Sequence, residues 1–249
     1  KTNSYGMKVF HSFNGFELQS YTSSTDTNVI FSYDADWGNA DSHFPYVYDY
    51  FSETLRDRKS FNQEFRVVSD SADFQENSFF EWVIGANYLE LKESNLKKDD
   101  GLYGDPSDPY GPYASASASS SKYKSSNFSV FGNLDYLLSA SLKFSIGLRW
   151  EDWEADYSDS LQESFNPTDK MSGGKISLIK NMTNDTNIYA SLAKGYKQGG
   201  FNLGLGLDAN ATNKNLAYDP EFLTNYELGI NTKLLDSRVT FNGVLFYSD

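Results

Sequence analysis

Leu142-Lys-Phe-Ser-Ile-Gly-Leu-Arg-Trp-Glu151 is the stretch that decides the fold. Leu142, Phe144, Ile146, Leu148 and Trp150 fall on one face, and Lys143, Ser145, Gly147, Arg149 and Glu151 on the other. A side-chain repeat of two is what a β-strand imposes. The run before it repeats the pattern, with Phe128, Val130, Gly132, Leu134 and Tyr136 against Ser129, Phe131, Asn133 and Asp135. Downstream, Tyr226, Leu228, Ile230, Thr232 and Leu234 oppose Asn225, Glu227, Gly229, Asn231 and Lys233. Val239, Phe241, Gly243, Leu245 and Tyr247 oppose Arg238, Thr240 and Asn242 in the last run. Looser alternation surrounds Phe16 and Leu18; Phe61, Phe65 and Val67; and Phe80, Trp82, Ile84 and Tyr88. No helical period competes, so the chain reads as all-β with long, regular strands.

Composition poses a puzzle that the connections resolve. The 249 residues carry a formal charge of −13 and no cysteine, and 16% are aromatic at a mean hydropathy of −0.56. The missing cysteines remove disulfide scaffolds, Cys-type zinc sites and thiol nucleophiles. The acidic balance argues against nucleic acid, whose phosphates need a basic face. No apolar run reaches the roughly 18 residues of a transmembrane helix. The chain begins at Lys1 without Met and ends in a strand-like run, so it is expected to be an internal piece of a longer protein. Tight links at Phe13–Gly15, Leu138–Ser141, Asn181–Thr186 and Leu235–Ser237 alternate with long polar stretches near Trp37–Tyr50, Ser94–Lys122, Ser158–Asp169 and Gly199–Tyr218. Ser69–Ser78 is intermediate and belongs with the short links. The Ser/Ala tract Ala114–Ser121 reads as low-complexity, mobile sequence.

Segregated loop lengths are the mark of a transmembrane β-barrel, with short turns on one side and long loops on the other. The expected fold is a partial antiparallel transmembrane β-barrel of nine or ten strands, roughly one per 25 residues, from a larger and 22-stranded barrel. In that frame Trp150, Trp153 and Tyr157 suit the outer aromatic belt, and Tyr136 and Tyr189 the inner one. A β-sandwich with an aromatic core remains the alternative on composition alone. By parity Glu64, Arg66, Arg149 and Glu227 point into the lumen. Gly132, Gly147, Gly229 and Gly243 sit within strands and suit barrel curvature. Gly199 and Gly200 suit a strand end needing positive φ.

Other chemistry finds little support. Asp34–Asp41 is rich in carboxylates, but Gly38 comes one place early for an EF-hand and Pro45 stands where the bidentate Glu belongs. Glu151 and Asp152 face opposite sides of a strand, so they cannot flank one glycosidic bond, and a solvated strand end is expected there. His11 and His43 are too few for a triad or a histidine-based metal site. The sequons at Asn127, Asn181, Asn184 and Asn210 carry no weight, with Asn127 and Asn181 expected to flank strands.

The ordered segments resemble the β-barrel of TonB-dependent outer-membrane receptors. The resemblance rests on Ser191-Leu-Ala-Lys194-Gly195-Tyr196-Lys-Gln-Gly199-Gly200-Phe201-Asn202, on Pro220-Glu221 followed by Asn225-Tyr226-Glu227-Leu-Gly229-Ile230, and on Leu235–Asn242 with Phe246-Tyr247. Upstream it includes Phe61–Ser69, Trp82–Tyr88, Ser129–Gly132 and Ile146–Trp150. No one motif is specific, but the set agrees in order over nearly the whole chain. The resemblance implies that residues 1–249 belong to the barrel domain, with an N-terminal plug and the C-terminal strands outside the chain. It implies residence among outer-membrane lipid of a Gram-negative bacterium. It further implies active uptake of a scarce small molecule, typically a ferric siderophore or another iron chelate, energised by TonB through the plug. No cofactor and no covalent chemistry are implied. The competing functions are a passive porin, separated by the absence of a plug, and a soluble secreted β-sandwich binding module, which would need no detergent for extraction. Within the longest loop, Tyr103, Tyr110 and Tyr113 beside Asp99, Asp100, Asp105 and Asp108 are the candidates for ligand contact.

Overall fold

The computed structural model describes residues 1–39, 41–70, 79–160, 164–201 and 217–249. The strands are β1 (Thr2–Phe13), β2 (Phe16–Asp34), β3 (Val47–Ser69), β4 (Phe80–Gly104), β5 (Tyr113–Ser139), β6 (Leu142–Asp159), β7 (Ser164–Phe165), β8 (Thr168–Asn181), β9 (Thr186–Lys197), β10 (Gly200–Phe201), β11 (Ala217–Tyr218), β12 (Glu221–Leu234) and β13 (Val239–Ser248). Ten of them form an antiparallel meander in the order β1-β2-β3-β4-β5-β6-β8-β9-β12-β13, with β7 on the flank of β6. The pair β10–β11 is separate. The sheet is open, with β1 and β13 as its edges among the described residues. The ten-strand meander agrees with the nine or ten strands expected.

Register turns the alternation of single strands into two continuous faces. One row runs Trp82–Leu134–Ile146–Ile176–Leu192–Tyr226–Tyr247 across seven strands. One residue along, on the other face, the row reads Val83–Asn133–Gly147–Lys175–Ala193–Asn225–Ser248. The first face is apolar yet open: Ile84 is 62% exposed, Leu148 63% and Leu245 74%. The second is polar yet crowded. Ser52, Thr54, Asn127, Ser129, Glu151, Ser177 and Ser191 are buried there, along with Trp153, Ala155, Tyr157 and Met171. A single-layer sheet crowds only its concave side, so the polar face is the inner one. Burial here follows curvature, not hydrophobicity.

The short links at Phe13–Gly15, Leu138–Ser141, Asn181–Thr186 and Leu235–Ser237 are turns. Most of the Ser69–Ser78 link and of the Gly199–Tyr218 stretch lies outside the described residues, and most of the stretch expected as a loop over Ser94–Lys122 is strand. Asn14-Gly15 forms a two-residue hairpin turn between paired Phe13 and Phe16, with Gly15 at φ 86°. Ala114–Ser121 is paired strand and not a free loop: Ser115 lies opposite Gly101 and Ser121 opposite Asn95. Main-chain hydrogen bonding needs no apolar side chain, so a Ser/Ala tract extends a ladder begun by stronger strand formers. The β4–β5 hairpin therefore runs to a short tip at 105–112.

Several strand glycines are sites of close approach. The ring of Tyr189 lies over Gly229, and the side-chain oxygen of Asn133 would be 2.9 Å from a Cβ at Gly147. Gly199 and Gly200 do not have positive φ; a Cβ on either would meet Tyr218 at 2.5 Å. Tyr189 thus belongs to the concave face and not to an interfacial belt, while Tyr136 points outward, opposite Phe80 and Phe144.

Gly229→Val should destabilise the detergent-solubilised protein by about 1–3 kcal/mol, because the Tyr189 ring must move. Gly195→Ala, where nothing lies within 4 Å of the new Cβ, should stay within about 0.5 kcal/mol. Thermal unfolding of the two variants checks the contrast.

Candidate ligand-facing wall

The concave face carries two built regions. Lower down, Glu151 is 7% exposed and holds a polar network. Asn127 Nδ2 donates to Glu151 Oε1, while Arg149 Nε and the Tyr196 hydroxyl donate to Oε2 at 2.9 and 3.0 Å. Sequence reading placed Glu151 at a solvated strand end; cross-strand neighbours close over it instead. Its separation from Asp152 holds, since Asp152 pairs with Phe128 and Lys170 on the outward face. Asn127 lies inside β5 and does not flank it.

Beside the network, Trp153, Ala155 and Met171 pack together against Tyr123 and Tyr196. Trp153 is 1% exposed and donates from Nε1 to Ser125 Oγ. Trp153 and Tyr157 therefore line the inner wall and not the outer belt, leaving Trp150 as the outward ring. The pleat sends odd and even positions of one strand to opposite faces, so Trp150 and Trp153 cannot share a belt. The lumenal parity of the other charges holds: Arg66 pairs with Glu64 and stacks on Tyr21, and Glu227 accepts from Asn225.

The second region lies where two hairpin tips meet. Tyr48 of β3 is opposite Tyr103 of β4, which is opposite Tyr113 of β5. Ring centroids are 5.9 Å apart for Tyr103 and Tyr113, 4.8 Å for Tyr48 and Tyr50, and 4.8 Å for His43 and Tyr48. Tyr50 lays its ring on bare Gly101. Together with Phe44, Tyr46 and Asp105, the rings of His43, Tyr48 and Tyr103 border a recess of about 490 Å³.

Carboxylates shape the tips. Asp105 accepts from the Ser107 hydroxyl and amide at 2.7 and 2.8 Å, and these bonds hold its carboxyl below the usual value. The Tyr113 hydroxyl donates to Asp108, which raises the phenol above its ordinary value. Asp34 and Asp36 accept from backbone amides of Asp36 and Gly38, so their carboxylates cap their own turn.

The structure thus joins Tyr103 and Tyr113 of the candidate trio, while Tyr110 stands at the tip, 85% exposed. His43, Tyr48 and Tyr50 are the members that sequence reading missed. Tyr48-Asp-Tyr50 has same-face spacing, but only the cross-strand register brings it to Tyr103. The motif residues scatter. Tyr196 joins the Glu151 network, Lys194 and Tyr226 face outward, and Glu227 and Gly229 face inward. Gly195 lies open, Gly199, Gly200 and the Phe201 backbone meet Ala217–Tyr218, and Asn202 lies outside the described residues.

The profile described as TonB dependent receptor-like, beta-barrel, matches residues 2–249. The chain belongs to the TonB-dependent receptor family. Members of this family are outer-membrane proteins of Gram-negative bacteria and act as receptors and transporters. Solved structures share the fold at low identity. The ferric yersiniabactin uptake receptor FyuA from Yersinia pestis is 18% identical with a TM-score of 0.67, covering 99% of this chain and 35% of its own. The siderophore receptor PiuA from Acinetobacter baumannii is 15% identical with a TM-score of 0.69, covering 98% and 39%. The copper transporter OprC is 12% identical with a TM-score of 0.70, covering 99% and 38%. The chain therefore spans well under half the length of these proteins, and its open sheet is a stretch of barrel wall.

Removing the carboxylate at the centre of the lower network should cost more than removing its outward-facing neighbour. Glu151→Ala leaves Asn127 and Arg149 without their acceptor and should destabilise the receptor by about 1–3 kcal/mol. Asp152→Ala should change stability by no more than about 0.5 kcal/mol. Equal shifts in unfolding temperature would contradict the network.

Proposed function

We propose that this chain is part of the wall of an outer-membrane receptor that takes up a scarce ligand, a ferric siderophore or other iron complex. Energy comes from TonB, acting on a plug domain outside this chain. The long-loop end faces outward, and the chain carries out no covalent chemistry. The observation that carries the reading is the tyrosine shelf of Tyr48, Tyr50, Tyr103 and Tyr113, set above a polar concave wall in a TonB-dependent receptor fold. Iron complexes as cargo are supported by relatives of the same fold named as ferric yersiniabactin and siderophore receptors; a copper transporter shares that fold as well.

The shelf suits capture on physical grounds. Aromatic faces give contact area with little side-chain entropy to lose. Asp108 anchors the Tyr113 phenol, so that ring is held before a ligand arrives. Tyr110 at the tip is the first ring an incoming molecule meets.

The test uses the full-length receptor with a ferric siderophore or ferric citrate. Tyr48→Ala with Tyr103→Ala removes one ring from each of the two tyrosine pairs. With each aromatic contact worth about 0.5–1.5 kcal/mol beyond area, affinity should fall roughly three- to tenfold or more. Replacing 105–112, including Tyr110, by a short Asn-Gly turn should lower it further while leaving the strands paired. Unchanged affinity in both variants removes the shelf from the binding site. Uptake that persists without TonB would replace the receptor by a passive porin, and extraction without detergent would replace the barrel altogether.

A further inference from the structure

The outward face holds a row that breaks its own apolar pattern: Val67–Ile84–Gly132–Leu148–Gly174–Lys194. Gly132 interrupts the apolar row between exposed Ile84 and Leu148, and Gly174 interrupts it between Leu148 and Lys194. Around them Trp82, Val130, Leu134, Trp150, Ile176 and Leu192 border a groove of about 980 Å³, with Lys194 at its end. The two gaps differ in origin. A Cβ at Gly174 would come 2.6 Å from the Gly147 carbonyl oxygen and 2.8 Å from Leu148 Cδ2, so packing demands that glycine and the Leu148 side chain leans over it. A Cβ at Gly132 would meet nothing closer than 3.4 Å, so the backbone leaves that notch open without being forced to.

Lys194 is the second feature. Its register partners are Gly174 and Thr224, and Leu192 precedes it on the same face. Its ammonium sits 4.9 Å from the centroid of the Phe222 ring, which lies toward the long-loop end. Among the described residues Lys194 makes no ion pair, whereas Lys143 has Asp135 at 3.0 Å and Lys197 has Glu221 at 3.7 Å. A cation on a lipid-facing strand position is unfavourable unless it reaches an interface or a counter-charge. The wall offers an apolar groove and, toward its long-loop end, an ammonium with no carboxylate partner among the described residues.

We propose that the groove and Lys194 form a binding site for a phosphate-bearing membrane lipid. An acyl chain lies in the notch over Gly132, and the lipid phosphate pairs with the Lys194 ammonium. The inference rests on the reading that the apolar face meets lipid. Charge complementarity selects the occupant: an uncharged chain would leave the ammonium unpaired, and a purely polar anion would leave the groove empty.

The experiment isolates the full-length receptor from its membrane in mild detergent and measures retained lipid by native mass spectrometry, with phosphorus determined on the extracted lipid. The parent protein should carry a phosphorus-containing lipid adduct. Lys194→Met should lower its occupancy at least fivefold, and Lys194→Arg should restore it. Gly132→Leu, which fills the notch, should lower it with Lys194 intact. If Gly132→Leu does not assemble, the Met and Arg variants decide the matter. Equal retention in Lys194→Met, a retained lipid without phosphorus, or a protein copurifying on this face would each overturn the proposal. Recovery in buffer without detergent would instead overturn the membrane reading itself.

Discussion

Between its two edge strands, every long strand of this wall pairs its main chain with a neighbour on either side, and that constraint orders everything else. Inside a bilayer an unpaired N–H or C=O costs several kcal/mol, so a strand that crosses must be paired along its whole crossing. Here β4 and β5 pair without a break from Phe80 opposite Tyr136 to Tyr103 opposite Tyr113. The ladder asks nothing of the side chains, which leaves them free to satisfy two different solvents. It also lets the hairpin continue past the apolar band on serine, alanine and glycine.

Curvature then gives the two faces opposite tasks. On the convex side side chains splay, so large apolar groups stay exposed without crowding. On the concave side they converge, and small or hydrogen-bonded groups are the ones that fit. Ser129 and Ser52 are fully buried for this reason, and Glu151 is tolerated because three donors reach it. Gly229 and Gly101 belong to the same geometry: each gives up its side chain so that a neighbouring tyrosine ring can lie flat on the wall.

The faces were legible in Leu142–Glu151 because a period of two is a local property. Loop alternation likewise needs only strand ends, and it placed the short turns among the described residues, including Asn14-Gly15. What failed was whatever depended on a neighbouring strand. Trp153 and Tyr189 are aromatic and near strand ends, but their parity sets them inside. Composition could not separate the Ala114–Ser121 tract from a loop, because its partner lies some twenty residues upstream. The shelf was half visible: Tyr103 and Tyr113 share one hairpin, whereas His43, Tyr48 and Tyr50 arrive from another.

The same register explains why the shelf and the wall can vary separately. Tyr48, Tyr50, Tyr103 and Tyr113 occupy the concave parity, continued upward past the apolar band. There the outward positions no longer face a constraint from lipid, and the strands are held by main-chain pairing and by polar contacts such as Ser52 to Asp99 at 2.6 Å. Burial opposes ionisation of Asp99, but the Ser52 bond and the ion pair with Lys97 outweigh it, so its carboxyl stays below the usual value. A charged anchor just below the shelf keeps the hairpin in register whatever rings stand at its tip. Ring identity and tip length are thereby uncoupled from the crossing strands, and the face that meets a ligand can change while the ladder beneath it does not.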